Sequence, residues 1–277
     1  MQRSYSEIRE IMGRGAFNKI SVGRLLVIAG PCAVEGGQIL DLADRVVSIC
    51  SELELPLVFK GSFKKANRSR IDSFTGIGDE KALGLLAEVA QKHNVLITTD
   101  VHCIKDVPLA ANYVDVIQIP AFLCRQTDLV VAAAKTGKIV NIKKGQFLSA
   151  ESMKFAVQKV WNSGNEECWV TERGTTFGYE DLVVDMKGIP VMKDYAPTVV
   201  DLTHSLQRPN QSSGVTGGNP EYITTLGKAA VAAGADAVFI ETHPDLQNAK
   251  SDGANMLRLD NLKELLTTLK RVHEAVM

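Results

Sequence analysis

Five cationic side chains lie at or just beyond the ends of apolar segments in this chain of 277 residues. They are Lys60, Lys65, Arg68, Lys143 and Arg173. If they meet in one site they need anionic partners, because a buried cation without a partner costs several kcal/mol. Arg binds phosphate and carboxylate groups as a fork and Lys binds them as a point charge, so we expect anionic substrates. The alternative is internal pairing, in which some of these cations form salt bridges with Asp100, Glu172 or Glu241.

A second set of side chains combines one thiol, one imidazole and two carboxylates. It consists of Cys32, His204, Glu241 and Asp252. Mixed nitrogen, oxygen and sulfur donors suit a catalytic divalent ion with an open position better than a closed structural zinc site. The spacing alone leaves two alternatives open: Cys32 and His204 are ordinary buried residues, or Cys32 is a nucleophile with His204 as its base. The nucleophile alternative leaves the two carboxylates without a role.

Eight segments rich in Val, Ile and Phe position these side chains. They are residues 25–30, 57–63, 95–101, 116–122, 138–145, 168–174, 198–204 and 237–243. The segments between them carry apolar residues at helical spacing, for example Ile39, Leu42 and Val46. A strand followed by a helix, eight times over, predicts an α/β fold, the (β/α)8 TIM barrel. We assign residues 25–277 to one barrel domain and residues 1–24 to a short N-terminal extension that caps the barrel bottom.

The polar side chains fall at the C-terminal ends of the predicted strands. In barrel enzymes this end holds the active site, so residues that are distant in sequence converge there. Besides the two sets above, Asp100 and His102 end the third strand and Gln118 lies in the fourth. The long connections after the second, sixth and seventh strands should lie on the same face of the barrel. This convergence predicts an enzyme.

The overall composition excludes several other classes of protein. Lys and Arg number 31 against 32 Asp and Glu, so the net charge of -1 gives no general attraction to nucleic acid or to an anionic membrane surface. No apolar segment approaches the ~18 residues that a transmembrane helix needs. The five cysteines include no C-x-x-C pair and fit a reducing compartment, so we predict a cytoplasmic protein. The cysteines outside the candidate metal set are expected to pack in the interior: Cys50, Cys103, Cys124 and Cys168.

Eight sequence motifs fall in order on the predicted strands and the loops that follow them. They read IAGPCAVE at 28–35, FKGSFKKANRSR at 59–70, TDVH at 99–102, QIPAFLCRQTDL at 118–129, NIKKGQF at 141–147, TERGTTFGY at 171–179, DLTHSLQ at 201–207 and IETHPD at 240–245. From residue 25 to residue 270 the chain resembles the 3-deoxy-D-manno-octulosonate 8-phosphate synthases, whereas residues 1–24 lie outside the resemblance. The resemblance implies a homotetrameric TIM barrel that condenses phosphoenolpyruvate with arabinose 5-phosphate. Its product would serve lipopolysaccharide biosynthesis in a Gram-negative bacterium, or pectin in a plant.

The resemblance also implies a role for each residue that matches a motif. The residues expected to bind phosphoenolpyruvate are Lys65, Gln118, Ala121, Lys143 and Arg173, with Lys60 close by. Those expected to bind the sugar phosphate are Asn67, Arg68 and Ser69. Phe122 and Gln207 are further candidates for substrate binding, and Arg125 resembles a residue that reaches the sugar phosphate of a neighbouring subunit. The candidates for proton transfer are Lys60, Asp100, His102 and His204, and the sequence gives no reason to single out one general base.

Two positions bear on the metal requirement, and the segment 65–70 bears on the choice of sugar. Within the family, the metal-independent members have Asn in place of Cys32 and Cys in place of Ser251, so this chain resembles the metal-dependent branch. The resemblance therefore implies a divalent ion such as Mn, Fe, Zn or Co, bound by the thiol, imidazole and two carboxylates described above. The segment KANRS at 65–69 differs from the KPR-type sequence of DAHP synthases, which use erythrose 4-phosphate. Arg70 stands where the family usually has a second Ser.

Three alternative functions stay open at this stage. The nearest is a DAHP synthase of the same fold with erythrose 4-phosphate as its acceptor. A Schiff-base aldolase would use Lys143 or Lys60 as a desolvated nucleophile. A sugar-phosphate sensor would bind its ligand without turnover, although a sensor has no need of a metal ion beside five cations.

Overall fold

The structure, a computed structural model of the chain, describes residues 16–21, 23–68, 71–208 and 217–277. Ser69, a predicted ligand of the sugar phosphate, and the neighbouring Arg70 lie outside the described residues. The same holds for most of the predicted N-terminal extension. The roles assigned to these residues from the sequence therefore stay predictions.

Eight parallel β-strands form a closed barrel. They are β1 (Leu26–Gly30), β2 (Leu57–Lys60), β3 (Leu96–Asp100), β4 (Val116–Ile119), β5 (Ile139–Lys143), β6 (Cys168–Glu172), β7 (Thr198–Asp201) and β8 (Ala237–His243). Each strand pairs in parallel with the next one along the chain, and β1 pairs with both β2 and β8, which closes the sheet. The predicted (β/α)8 TIM barrel is confirmed, with one strand in each of the eight predicted segments.

Helices alternate with the strands and surround the barrel. Within the described residues they are α1 (Ala16–Ser21), α2 (Ile39–Glu52), α3 (Asp79–His93), α4 (Asp106–Ala111), α5 (Thr127–Lys135), α6 (Lys154–Asn162), α7 (Gly188–Lys193), α8 (Ile223–Ala232) and α9 (Leu262–Val276). In α2 the apolar residues Ile39, Leu42 and Val46 recur at helical spacing and are buried, which explains why this segment folds as a helix on the sheet. None of the described helices is both long and apolar enough to cross a membrane.

Several strands end earlier than the apolar pattern predicts. The segments 57–63 and 138–145 were predicted as strands, whereas β2 ends at Lys60 and β5 ends at Lys143. The residues just beyond these two positions leave the sheet and enter the loops at the C-terminal end of the barrel. Apolar content does not distinguish such a loop from a strand, because the loop residues next to the barrel are also buried.

Two local features differ from the sequence prediction. Cys103 is exposed, contrary to the expectation that it packs in the interior. It lies in a turn after β3 in which Asp106 Oδ2 accepts hydrogen bonds from the amides of His102 (2.8 Å) and Cys103 (3.1 Å), and this turn lies at the surface. The other cysteines expected to pack are buried: Cys50, Cys124 and Cys168. In the connection after β7, Gln207–Arg208 pairs with Gly217–Gly218 in a short antiparallel ladder that the apolar pattern does not predict.

The apolar core has an outer and an inner layer. The outer layer lies between the sheet and the helices, and the inner layer fills the barrel. The inner layer includes Trp169 and residues at the starts of strands, such as Leu26 and Val116. Phe17 of α1 packs edge-on against Trp169, with 5.3 Å between the ring centroids. The described part of the extension thus contacts the inner core from the N-terminal side of the strands, and the capping role of residues 1–24 as a whole stays a prediction.

Phe17→Ala should lower the free energy of unfolding by about 3 kcal/mol, because it removes a buried ring and leaves a cavity against the inner core. Equilibrium unfolding in urea, followed by circular dichroism, measures the loss. Phe155 on α6 is exposed, so Phe155→Ala is a matched control with an expected change within about 0.5 kcal/mol. Equal losses in the two variants would show that the extension does not stabilise the barrel.

Candidate active site

A cavity of about 300 Å³ opens at the C-terminal ends of the barrel strands. Most site residues predicted from the sequence line this cavity: Lys60, Lys65, Asn67, Arg68, Asp100, His102, Gln118, Ala121, Phe122, Lys143, Arg173, His204, Gln207, Glu241 and Asp252. The fold therefore brings together side chains from β2 to β8 and from the loops that follow them. Four further residues of the wall were not predicted: Ser62, Ser73, Pro120 and Gln146.

Two predicted site residues lie apart from the cavity wall. Cys32 follows β1 and is buried, with its Sγ 3.0 Å from Asp252 Oδ2. Arg125 is exposed on the turn before α5, where its carbonyl accepts a hydrogen bond from Lys159 Nζ at 3.0 Å. Arg125 does not line the cavity of its own chain. Its predicted contact with a neighbouring subunit is not described by a single chain and stays a prediction.

The buried ammonium group of Lys60 is fully engaged by internal acceptors. It donates hydrogen bonds to the carbonyls of Pro31 (3.2 Å) and Cys32 (2.8 Å) and forms an ion pair with Glu241. An ammonium group has three N–H donors, so none of them remains for a substrate. For Lys60, the predicted alternative of internal pairing therefore holds, and its ammonium group does not bind a substrate anion. Lys60 links the turn after β1 to Glu241 in β8.

A buried carboxylate at the end of β7 holds two of the predicted site residues. Asp201 Oδ2 accepts hydrogen bonds from Lys143 Nζ at 2.6 Å and from His204 Nδ1 at 2.7 Å. Burial raises the pKa of Asp201, but His204 and Lys143 lower it more, so the pKa lies well below its usual value. Asp201 was not among the residues predicted from the sequence. The signal was present, because Asp201 opens the DLTHSLQ motif and ends a strand three residues before His204.

Arg173 and Gln207 form a contact that joins the loops after β6 and β7. Arg173 Nη2 donates to Gln207 Oε1 at 2.7 Å and to the carbonyl of His204 at 3.0 Å. The guanidinium group has five N–H donors, so the others remain for an anion in the cavity. Gln207 thereby orients a cation that the sequence assigned to phosphoenolpyruvate.

Lys65 is a cation of the cavity whose N–H donors are not taken up by the described residues. The structure holds its backbone in place, because its amide donates to the carbonyl of Thr75 at 2.8 Å. Its side chain is nearly buried, yet its ammonium group makes no hydrogen bond or ion pair with any residue that the structure describes. Burial lowers the pKa of this ammonium group, but Cys32, Glu241 and Asp100 raise it more, so the group stays charged. Its three N–H donors remain for an anionic ligand.

Asp100 and His102 form a pair of titratable groups at the cavity wall. Asp100 Oδ2 lies 3.2 Å from His102 Nε2, and Asp100 Oδ1 accepts a hydrogen bond from Ser62. Burial raises the pKa of Asp100, but Lys65 and His102 lower it more, to about 2. His102 Nδ1 is buried and has no hydrogen-bond partner among the described residues. Ser62 could have been found from the sequence, because it lies in the FKGSFKK segment between two predicted site lysines.

Three of the four predicted metal ligands form one compact group. The Sγ of Cys32, one oxygen of Glu241 and one oxygen of Asp252 all lie within 4.8 Å of one another. His204 lies outside this group, but its Nε2 is 3.5 Å from Glu241 Oε2. Asp201 accepts the hydrogen bond of the other ring nitrogen, an arrangement typical of histidines that bind metals.

Two further observations fit a divalent ion at this group. Glu241 Oε2 is buried and has no hydrogen-bond partner among the described residues, which is costly unless another group binds it. Burial raises the pKa of the Cys32 thiol well above its usual value, and Glu241 raises it further. A bound cation favours loss of the thiol proton, and a thiolate with carboxylate and imidazole donors suits several divalent metals. These residues therefore form a possible metal site.

Comparison with known proteins extends the resemblance that the motifs indicated. The model of the DAHP synthetase I family matches residues 16–277, so the match begins before residue 25. Three relatives are named 2-dehydro-3-deoxyphosphooctonate aldolase. The one from Koribacter versatilis is 50% identical over 257 residues, which cover 91% of this chain and 92% of the relative. The one from Trichlorobacter lovleyi is 49% identical over 261 residues (93% and 96%), and the one from Geobacter sp. is 46% identical over 271 residues (97% and 98%).

Both kinds of match extend over nearly the whole chain, and they include every strand of the barrel and every described residue of the cavity. The fold agrees, because it is the closed (β/α)8 barrel that the motifs implied. This chain belongs to the DAHP synthetase I family.

Proposed function

We propose that this protein condenses phosphoenolpyruvate with arabinose 5-phosphate and water to give 3-deoxy-D-manno-octulosonate 8-phosphate and inorganic phosphate. The relatives described above are named 2-dehydro-3-deoxyphosphooctonate aldolase and match more than nine tenths of the chain. The observation that carries the proposal is the nearly buried Lys65, whose ammonium group makes no hydrogen bond or ion pair with a described residue, in a cavity that holds further cations. Two anionic substrates supply acceptors for the N–H donors of these cations.

Charge decides how the two substrates are arranged in the cavity. Lys65, Lys143 and Arg173 bind the carboxylate and phosphate groups of phosphoenolpyruvate, and Gln118 and Ala121 complete this end. Asn67 and Arg68, on the loop after β2, bind the phosphate of the sugar. Two anions repel each other in water, so cations that neutralise and orient both of them lower the barrier by positioning and by electrostatic preorganisation.

The reaction forms one carbon–carbon bond and releases one phosphate. C3 of phosphoenolpyruvate attacks the aldehyde carbon of the open-chain sugar, whose oxygen takes up a proton. Water adds to C2 and gives up a proton. The new C2 hydroxyl then loses its proton and becomes the ketone, as phosphate leaves with the electron pair of the bond between C2 and its oxygen. The proposed proton carriers are Asp100 and His102, because His204 is assigned to the metal through Nε2 and donates to Asp201 from Nδ1. Lys60 acts through Glu241 and the backbone of Cys32, since its donors are all engaged.

The proposed metal ligands are Cys32, Glu241 and Asp252, with His204 as the fourth through Nε2. When bound, a divalent ion supplies a Lewis acid that polarises the aldehyde or lowers the pKa of the attacking water. Asp201 accepts a hydrogen bond from His204 Nδ1–H, which keeps the proton on Nδ1 and leaves the lone pair of Nε2 available as a ligand. Lys60 neutralises the other oxygen of Glu241 and orients that carboxylate.

The proposed assembly is a homotetramer in the cytoplasm. Arg125 supports an oligomeric site, because it is exposed and lies outside the cavity of its own chain. In the assembly its guanidinium group reaches the sugar phosphate of a neighbouring subunit.

Phosphate release from phosphoenolpyruvate tests the proposed reaction with two acceptors at equal concentration. Arabinose 5-phosphate should support turnover, and erythrose 4-phosphate should give a kcat/KM at least about tenfold lower, because the two sugars differ in length between aldehyde and phosphate. Preference for erythrose 4-phosphate would instead identify a DAHP synthase. Borohydride trapping of a lysine adduct would identify a Schiff-base aldolase, and tight binding without turnover would identify a sensor.

A further inference from the structure

Ser251 lies between a proposed sugar-phosphate ligand and the candidate metal group. Its side chain is buried, and its hydroxyl accepts a hydrogen bond from Arg68 Nη1 at 2.8 Å. The same oxygen is 3.1 Å from Cys32 Sγ and 3.2 Å from Asp252 Oδ2. One hydroxyl group therefore contacts a cation of the substrate cavity and two candidate metal ligands.

The hydrogen bond between Arg68 and this hydroxyl has a fixed direction. A serine oxygen has one proton to donate and two lone pairs that accept, whereas a guanidinium group can only donate. Arg68 therefore donates to Ser251, and the serine proton remains for Cys32 or Asp252. Once these two groups are anionic ligands of an ion, each of them is an acceptor for that proton. Hydrogen bonds of this kind hold metal ligands in position and tune their basicity.

The segment 250–252 is held from two sides in one conformation. Glu35 Oε1 accepts a hydrogen bond from the amide of Lys250 at 2.8 Å, and Arg68 Nη2 donates to the carbonyl of Lys250 at 3.2 Å. Asp252 has a φ of 50°, in the left-handed region that costs free energy for residues other than Gly. An ion on Asp252 and an anion on Arg68 would both stabilise this same conformation.

We propose that Ser251 couples the two sites, so that a divalent ion and a phosphate-bearing substrate strengthen each other's binding. The N–H groups of Arg68 that do not contact Ser251 and Lys250 remain for phosphate oxygens, so the substrate does not displace the contact. Each ligand stabilises the observed conformation of segment 250–252, including the left-handed φ of Asp252, so the second ligand no longer bears the full cost of that conformation. Thermodynamic linkage requires the same factor in both directions. The inference rests on the proposed roles of Arg68 and of the metal group.

Binding measurements without phosphoenolpyruvate test the coupling on the full chain. Co²⁺ is titrated into the metal-free protein with and without saturating arabinose 5-phosphate, and the thiolate-to-cobalt absorption reports binding. In the wild-type protein we expect the sugar phosphate to lower the Kd of Co²⁺ about tenfold, and Co²⁺ to lower the Kd of the sugar phosphate by the same factor. In Ser251→Ala both factors should fall to about one, and Ser251→Thr, which keeps a hydroxyl, should restore them.

Asn248→Ala is the matched control, because it removes another side-chain hydrogen bond of the same loop, from Asn248 Nδ2 to Asp245 Oδ2 at 2.6 Å. In this variant the sugar phosphate should still lower the Kd of Co²⁺ by the same factor as in the wild-type protein. A factor of one in the wild-type protein, or an undiminished factor in Ser251→Ala, would overturn the proposal. Inorganic phosphate serves as a second probe. Coupling with inorganic phosphate but not with arabinose 5-phosphate would support the role of Ser251 and contradict the choice of sugar. Turnover of arabinose 5-phosphate without coupling would contradict only the role of Ser251.

Discussion

Removal of the proposed divalent ion should lower the rate of phosphate release at least about a hundredfold, because such an ion would act as a Lewis acid on the reacting groups. The purified protein is dialysed against a chelator, its metal content is measured, and phosphate release is followed before and after a divalent ion is returned. Cys32→Ser should produce a loss of the same kind. A serine hydroxyl keeps its proton near neutral pH, so it is a far weaker ligand than a thiolate.

Cys103→Ser is the matched control for this experiment. Cys103 is an exposed thiol after β3, close to the mouth of the barrel but outside both the cavity wall and the metal group. Its replacement should leave the metal content and the rate unchanged. If turnover survives both thorough chelation and Cys32→Ser, the synthase proposal can stand, but Cys32 is then a packing residue.

The order of the elements could be predicted from the sequence because strands of a parallel barrel are buried on both faces. Each strand therefore appears as a short apolar run, and the amphipathic helix that follows has a different period. The exact ends of the strands could not be predicted in the same way. Lys60 and Lys143 end β2 and β5, but residues after them, such as Phe63 and Lys144, are buried too, so burial continues beyond the end of each strand.

The convergence of the site residues followed from the fold, whereas their pairing did not. Lys60 and Glu241 are 181 residues apart, and both were expected at the mouth, yet only the structure shows that Glu241 engages Lys60 rather than leaving it for a substrate. Which cations are neutralised internally depends on side-chain directions. Periodicity along the chain does not contain that information, so the sequence allowed both pairing and anion binding for Lys60 and for Lys65.

The residues that support the site were the hardest to identify from the sequence. Asp201 and Ser62 touch predicted site residues, but a single Asp or Ser at a strand end has many ordinary roles, such as capping a turn. Asp201 does cap one, since its Oδ1 accepts hydrogen bonds from the amides of Thr203 (3.0 Å) and His204 (2.8 Å). Its second oxygen binds Lys143 and His204, and this role could be identified only from the structure.

Lys143→Met should mainly lower kcat/KM and Lys144→Met should mainly lower the stability, although the two lysines are adjacent and both are buried. Successive side chains of a strand point to opposite faces. Lys143 lines the cavity, so its replacement should lower kcat/KM for phosphoenolpyruvate by about 10²–10³. Lys144 forms a buried ion pair with Glu172 at 3.3 Å, and its loss should lower the free energy of unfolding by about 3–5 kcal/mol.

The stability cost differs between the two variants because their carboxylate partners differ. Asp201 keeps His204 and two backbone amides when Lys143 is replaced. When Lys144 is replaced, the one hydrogen bond that Glu172 keeps among the described residues comes from the amide of Gly174. Lys144→Met combined with Glu172→Leu removes both charges and should recover most of the lost stability, as expected where an unpaired buried charge is the cause. Urea unfolding and steady-state kinetics, the latter under conditions where each variant is folded, separate the two effects. A similar loss of kcat/KM in both single variants would mean that Lys143 acts through the packing of β5 and not through contact with phosphoenolpyruvate.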